Sequence, residues 1–387
     1  MMAMNAAFYG FTVAAARALI PAELGAVTAL MGILLIGNVA SLGLQAAIAR
    51  RIAVAPEQQD EIVGLAARVT LQTALAVGAV VALSTLVLTP VLNLDSYLLV
   101  VLCGATLVPL TIMGGQAGVA QGSESWRTLT AIYLSNGFGR LIIGGVALVV
   151  DQSTMSAMIG IAIGAWAPVI AGFPTLRGVR QHGQGRSRRP LMREAALGTH
   201  ALFASFVLSN LDALIARARF DAHESGLYAA GLILTKAALF LPQFVSVVLY
   251  PRLARDHTVQ SLRRGLLLVI SAGAAATLAT AALPWLALIL VGGDKYGEVE
   301  GRLWLFALSG SYLAIINLLV LDALARHAHG VVAAVWAAAA AVVAIALIAD
   351  VHITGLVVTV IVVSSALAGY VIWRAGRVLP KTEPAES

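Results

Sequence analysis

Charge is scarce in this sequence. Only 11% of its 387 residues are Asp, Glu, Lys or Arg, while 60% are hydrophobic. A soluble domain carries about a quarter charged residues, so the chain is read as an integral membrane protein. Aromatic residues are also few, at 6%; the apolar mass is Ala, Leu, Val, Ile and Gly. Small side chains let helices approach closely in lipid, where dispersion rather than water exclusion drives packing. The single Cys103 sits in an apolar run and excludes an internal disulfide. No Walker-type phosphate loop occurs, which argues against ATP as the direct energy source. The first residues, MMAMNAAFYG, lack a basic start, and no small-residue cleavage site follows, so no separate signal peptide is expected. A net charge of +6 would suit nucleic acid, but basic loops between spans account for it, and no nucleic-acid partner is expected.

Long apolar runs are what the sequence has in quantity. A membrane-crossing helix needs about 20 mostly apolar residues. That rule gives twelve candidate spans, at roughly 3–20, 26–48, 66–91, 97–120, 128–150, 154–175, 197–218, 226–250, 265–292, 302–321, 329–349 and 353–373. The connections are short except at about 49–65 and 176–196. The second of these is rich in Arg and reads as a linker between six spans and six. The expected organisation is an N-terminal six-helix lobe at 1–175, a basic cytoplasmic linker at 176–196, a C-terminal six-helix lobe at 197–375 and a cytoplasmic tail at 376–387. Of the 25 Lys and Arg, seventeen fall after even-numbered spans or in the tail, among them Arg50, Arg51, Arg127 and Arg252. Five fall on the other side: Arg17, Arg217, Arg219, Lys295 and Arg302. Basic loops stay in the cytoplasm, so both termini are expected there.

The two halves read as copies. Glu23, Gly25 and Arg51 recur as Glu224, Gly226 and Arg252, each 201 positions on. Both stretches run from an acidic loop and a glycine through an apolar span to a basic exit. Asp151 and His352 repeat at the same offset. Two six-span copies in one orientation imply a pseudo-twofold axis along the membrane normal, an arrangement in which transporters place substrate between the lobes.

Ionisable groups within spans cost about 2.5–3.5 kcal/mol each on insertion scales, so they face a cavity or a partner. Arg140 and Lys236 lie too deep for easy snorkelling. Tyr133, Asn136 and Arg140 form one polar stripe on span five, and Lys236 and Gln243 share a face of span eight. Asn38, Ser41 and Gln45 line span two; Ser205, Ser209 and Asp212 line span seven. Arg17 and Arg68 lie near span ends, and Asp212 is within reach of Lys236 or Arg217 as a structural bridge. Pro109, Pro168, Pro242 and Pro284 are expected to bend their spans. Asp322 is expected to pair with Arg326. His327 and His329 have no third ligand nearby, so no metal site and no cofactor are expected.

Several motifs carry a family resemblance. They are Glu23-x-Gly25 with Leu42-Gly43-Leu44 and the exit Arg50-Arg51, then Gly226-x-Tyr228-Ala229 through Leu249-Tyr250-Pro251-Arg252-Leu253, and the turn Ala120-Gln121-Gly122. In these the chain resembles the polysaccharide-export branch of the MOP superfamily, the multidrug, oligosaccharidyl-lipid and polysaccharide exporters. The resemblance implies an all-α, MATE-like membrane fold of about twelve helices in two pseudo-twofold-related lobes around a central cavity. It also implies a transporter rather than an enzyme. Its substrate would be an isoprenoid-diphosphate-linked oligosaccharide, flipped across the cell membrane by alternating access. Partners would be that substrate, membrane lipids and polymerases or glycosyltransferases of the pathway. On this reading Arg17, Arg140 and Lys236, with Asn136 and Gln243, hold the anionic headgroup, and Asp212 balances charge or carries a coupling proton. Arg suits phosphate through its bidentate fork and Lys through its point charge. An ion-coupled drug exporter of the same superfamily is weakened by the lack of a buried carboxylate in the first six spans. A glycan-modifying enzyme is weakened by the lack of a large extramembrane loop. A non-transporting scaffold stays open.

Overall fold

The computed structural model describes residues 2–176, 189–253, 259–325 and 329–378. Among them there is no strand; helices α1–α18 carry the fold. In lipid this is the expected outcome, because only a helix or a closed barrel satisfies every backbone N–H and C=O within itself. The N-terminal part comprises α1 (Met2–Ala18), α2 (Pro21–Gly37), α3 (Val39–Val54), α4 (Gln59–Leu83), α5 (Thr85–Val91), α6 (Tyr97–Gly122), α7 (Trp126–Gly139), α8 (Gly145–Val150), α9 (Thr154–Gly164) and α10 (Ala167–Ala171). After the linker come α11 (Arg189–Leu208), α12 (Leu211–Arg219), α13 (Ala222–Leu253), α14 (Val259–Ala282), α15 (Pro284–Val291), α16 (Leu303–Ala325), α17 (His329–Ile348) and α18 (Ile353–Val378).

A helix or broken helix lies under each of the twelve expected spans. Nine helical stretches among the described residues are long and apolar enough to cross a membrane, or ten if the bent pair 199–208 and 211–219 is one span. The breaks are local. Asn38 keeps right-handed backbone angles between α2 and α3, and its buried side-chain oxygen has no hydrogen-bond partner. Ser84 separates α4 from α5. Pro168 and Pro284 stand at the start of α10 and α15, where a missing N–H costs least. Pro109 lies inside α6, which continues past it. Pro242 lies within α13.

By internal packing the chain divides into two compact units. One is Met1–Ile233 with Leu288–Glu298; the other is Leu234–Ala287 with Val299–Ser387. The first unit gathers α11, α12 and the start of α13 onto the N-terminal half.

Within the first unit, small residues set the helix spacing. Gly114, Gly118 and Gly122 recur every four residues on α6 and face the carbonyls of Ser41, Gln45 and Ala49 on α3. A methyl group at Gly118 would stand 2.8 Å from the Gln45 oxygen, so only glycine permits this approach. Gly78 of α4 meets Gly104 of α6, and Gly139 meets Gly164 of α9, in the same way. Polar groups add register: Ser41 Oγ donates to Leu110 O at 2.9 Å. The outward surface is apolar, as a lipid-facing surface must be; Val149 and Val150 are among its most exposed side chains. In the second unit, α16 packs on α14 and α18. There Thr235 Oγ1 donates to Phe306 O at 2.9 Å, and Gly310 lies against the Thr235 backbone.

Candidate functional site

The polar stripe on α7 is buried as a unit. Tyr133, Asn136 and Arg140 are 7%, 6% and 6% exposed. The helix ends at Gly139, and the chain makes one π-helical turn, Arg140–Gly144, before α8. Such a turn inserts an extra residue and re-aims the side chains that follow, which is why π turns concentrate at functional sites. Here it starts at Arg140. Helix α1 covers the stripe closely: Gly137 lies under the backbone of Met4, and Gly144 lies under the Phe11 ring. The Arg140 guanidinium carbon sits 4.3 Å from the centroid of the Phe8 ring. Asn136 Nδ2 reaches Met4 Sδ at 3.7 Å. Tyr133 is tied differently; its hydroxyl accepts from Gln45 Nε2 at 2.6 Å, and the same amide donates to Gln121 Oε1 at 2.9 Å.

Arg140 makes no hydrogen bond among the described residues. Its aromatic contact contributes about 2 kcal/mol when desolvated. That leaves five N–H donors without a protein oxygen among the described residues. A guanidinium so placed suits an anion with several oxygens.

A second buried arginine behaves in the opposite way. Arg217, in the last turn of α12 and 5% exposed, meets four oxygens. Its Nε donates to Leu92 O at 3.0 Å, and its two terminal nitrogens donate to Asn93 O at 2.8 Å, Ser225 Oγ at 3.1 Å and Ala22 O at 3.3 Å. Asn93 takes a left-handed backbone, with φ of 46°, a conformation Asn tolerates better than most residues. Close by, the Glu23 carboxylate accepts from Thr154 N at 2.5 Å and from the Thr154 hydroxyl. That places a negative group at the N-terminus of α9, where the helix dipole favours it. Lys295 Nζ donates to Arg17 O at 2.9 Å and Leu19 O at 2.6 Å, and the buried Tyr296 hydroxyl donates to Ala16 O at 3.1 Å. These bonds cap the C-terminal carbonyls of α1. His223 meets Glu298 at 2.9 Å on the exposed rim.

The two repeated glycines also meet here. A methyl at Gly25 would lie 2.5 Å from Ser225 Oγ and 3.0 Å from Gly226 N, and one at Gly226 would collide with the Pro21 carbonyl. So equivalent points of the two sequence copies cross backbone to backbone, and Arg217 ties the loops around the crossing. Composition and spacing flagged Gly25 and Gly226 as repeats but gave no sign that they touch. They flagged Arg217 as a charge on one side and as a candidate partner for Asp212, but gave no sign of its backbone acceptors.

The remaining expected residues lie as follows. Arg17 is exposed at the end of α1, and its carbonyl, rather than its guanidinium, carries the bond to Lys295. Asp212 is buried, and its carboxylate accepts from the Tyr228 hydroxyl at 3.2 Å and from Ala213 N at 2.9 Å. Lys236 is half-buried on α13. Arg68 is half-buried on α4. The Gln243 side chain lies outside the described side chains, as do those of Asp322, Arg326, His327 and His329. Among the described residues no three metal-ligating side chains cluster. The structure thus brings Asn136 and Arg140 together and sets Arg17 in a different, capped neighbourhood.

These features define an all-α membrane protein with the fold of the MOP superfamily. The chain matches solved structures across 97% of its length. An inward-facing multidrug-resistance MATE transporter of that superfamily gives a TM-score of 0.70 at 10% identity, with 96% of that chain covered. The lipid II flippase MurJ, in an inward closed conformation, gives 0.67 at 12% identity, with 88% covered. The eukaryotic MATE transporter AtDTX14 gives 0.56 at 12% identity, with 95% covered. No curated protein matches by sequence. Residues 2–257 match the family described as polysaccharide biosynthesis protein, and the chain belongs to that family.

Proposed function

We propose that this protein is a polysaccharide-biosynthesis transporter rather than an enzyme. It moves an isoprenoid-diphosphate-linked oligosaccharide across the cell membrane by alternating access of two six-helix lobes, with both termini cytoplasmic. The observation that carries this reading is Arg140, a buried guanidinium seated on Phe8 with no oxygen partner among the described residues. A diphosphate supplies the missing acceptors, and a bidentate pair with Arg is the strongest form of that bond. Family membership supplies the glycan side of the reading, and the likeness in fold to a lipid II flippase is compatible with a lipid-linked cargo. In this proposal Asn136 orients the headgroup beside Arg140. Lys236 and Gln243 add contacts from α13, Arg17 meets the headgroup near the membrane surface, and Asp212 balances charge or carries a coupling proton. Polymerases or glycosyltransferases of the same pathway are the partners it would serve.

The test is flipping of a fluorescent lipid-linked oligosaccharide in vesicles containing purified protein, with and without a proton gradient. Arg140→Ala is expected to lower the flipping rate at least tenfold while the folded protein level stays normal. Wild-type flipping by Arg140→Ala would overturn the assignment of Arg140. No flipping by the wild type in either condition, while a drug-like organic cation is exported, would overturn the substrate class.

A further inference from the structure

Helix α1 meets Arg140 through one face. Met4, Phe8 and Phe11 fall at i, i+4 and i+7, so they line one side of the helix. Glycines on span five bring that side down onto the arginine. A methyl at Gly137 would stand 2.8 Å from Met4 Cα, and one at Gly144 would stand 2.6 Å from the Phe11 ring. Between these two close approaches Phe8 sits on the Arg140 guanidinium, with 4.3 Å from Cζ to the ring centroid. Phe8 itself is half-buried. Tyr9, the neighbour that carries a hydroxyl, falls about 100° further round the helix.

A guanidinium has two unlike surfaces. Its flat face stacks on aromatic rings, and its edge carries the N–H donors in the plane. Phenylalanine answers only the face, because it has neither a donor nor an acceptor. An oxygen in its place would draw on the edge, as the four oxygens around Arg217 do. The chain thus sets against Arg140 a partner that fixes a guanidinium while its fork stays open. A lysine could not be held in this way, because its ammonium is a point charge with no face and edge to divide.

We infer that Phe8 is a positioning residue for the headgroup. Its ring holds Arg140 by the face and aims the N–H edge at the diphosphate oxygens without competing for them. The inference rests on the reading of Arg140 as the headgroup contact. It adds a requirement that this reading lacks: affinity for the anion follows the electron density of the ring at position 8. Ring and anion act together on the same cation, so a poorer ring means weaker anion binding. A ring that only packed α1 on span five would leave affinity indifferent to its electron density. A ring that occupied the anion's place would give the opposite sign.

The probe is inorganic pyrophosphate, titrated by calorimetry into the purified full chain in nanodiscs. Phe8 is replaced by its singly, doubly and triply fluorinated forms, which nearly keep the shape and withdraw electrons from the ring face. Pyrophosphate affinity should fall stepwise along that series. Phe8→Leu should weaken it about tenfold, most of a desolvated cation–π contact going into placing the guanidinium. Phe8→Tyr keeps the face and should stay near wild type. Phe11→Leu, on the same side of α1 but under Gly144, should cost stability and leave affinity unchanged. A flat fluorination series, or affinity that rises along it, would overturn the inference. So would equal binding by the wild type and Arg140→Ala, or no binding by the wild type. If Phe8→Leu lowers the folded yield, the fluorinated series decides alone. Flipping of the lipid-linked oligosaccharide separates the two readings. Flipping that Arg140→Ala abolishes, beside a flat series, keeps the transport reading and ends the role of Phe8. A graded series without any flipping supports Phe8 and ends the proposed substrate.

Discussion

Arg140 and Arg217 are buried to the same degree and serve opposite ends. Arg217 spends its donors on three backbone carbonyls and a serine, drawn from α2, the turn before α6 and α13. Arg140 spends its charge on one aromatic ring. The lesson is that burial of a cation in a membrane protein does not announce function; the state of its donors does. A guanidinium answered by fixed oxygens is a tie that holds loops together. One answered only by a π face has no such tie, and that is why the proposed headgroup contact is placed at Arg140.

Substitutions sharpen this contrast, and the largest expected effect is on the tie. Arg217→Met leaves four oxygens without their donor at about 1 kcal/mol each, so the protein should lose roughly 3 kcal/mol or more of stability. Thermal unfolding in detergent and the amount in the membrane fraction would measure it. Arg140→Met should do the reverse: unfolding within about 1 kcal/mol of wild type, since a shaped apolar group replaces an unanswered charge, with flipping reduced tenfold or more. If both substitutions unfold the protein alike, the distinction between the two arginines fails. Gly25→Ala comes next, at about 1–3 kcal/mol, because the new methyl forces Ser225 and the Gly226 backbone to move. An unchanged melting temperature would mean the two glycines do not cross closely. Glu23→Gln should cost least, about 1 kcal/mol in thermal unfolding, since the amide oxygen still accepts from Thr154 but without charge at the α9 terminus; a loss as large as that of Arg217→Met would contradict this ranking.

Much of the fold was legible because lipid demands it. Twenty apolar residues in a row leave little choice but a helix, and all twelve expected spans have one. The stripe of Tyr133, Asn136 and Arg140 was legible too, since helical spacing alone puts those residues on one face. The π turn at Arg140 was not, because RLIIG has no feature that separates it from an ordinary helical turn. The tie at Arg217 was hidden for a different reason: its acceptors at Leu92, Asn93 and Ala22 are main-chain oxygens, which every residue has. The cap on α1 by Lys295 and Tyr296 joins positions about 280 residues apart through carbonyls, and no local pattern encodes it. The compact units were not legible because they follow packing: α11 and α12 lie against α3 and α2, a pairing that no local pattern encodes.

The glycine ladder on α6 has one more consequence. Its rungs and the carbonyls they meet on α3 share a four-residue period, close to the 5.4 Å of one helical turn. Prising the two helices apart breaks every rung at once, and gliding one along the other by a turn either brings Leu110 to a place where only glycine fits or carries a rung past the end of α6. The pair is therefore keyed along its length as well as across its width. Ser41 on the Leu110 carbonyl and Gln45 on Gln121 and Tyr133 fix the same register.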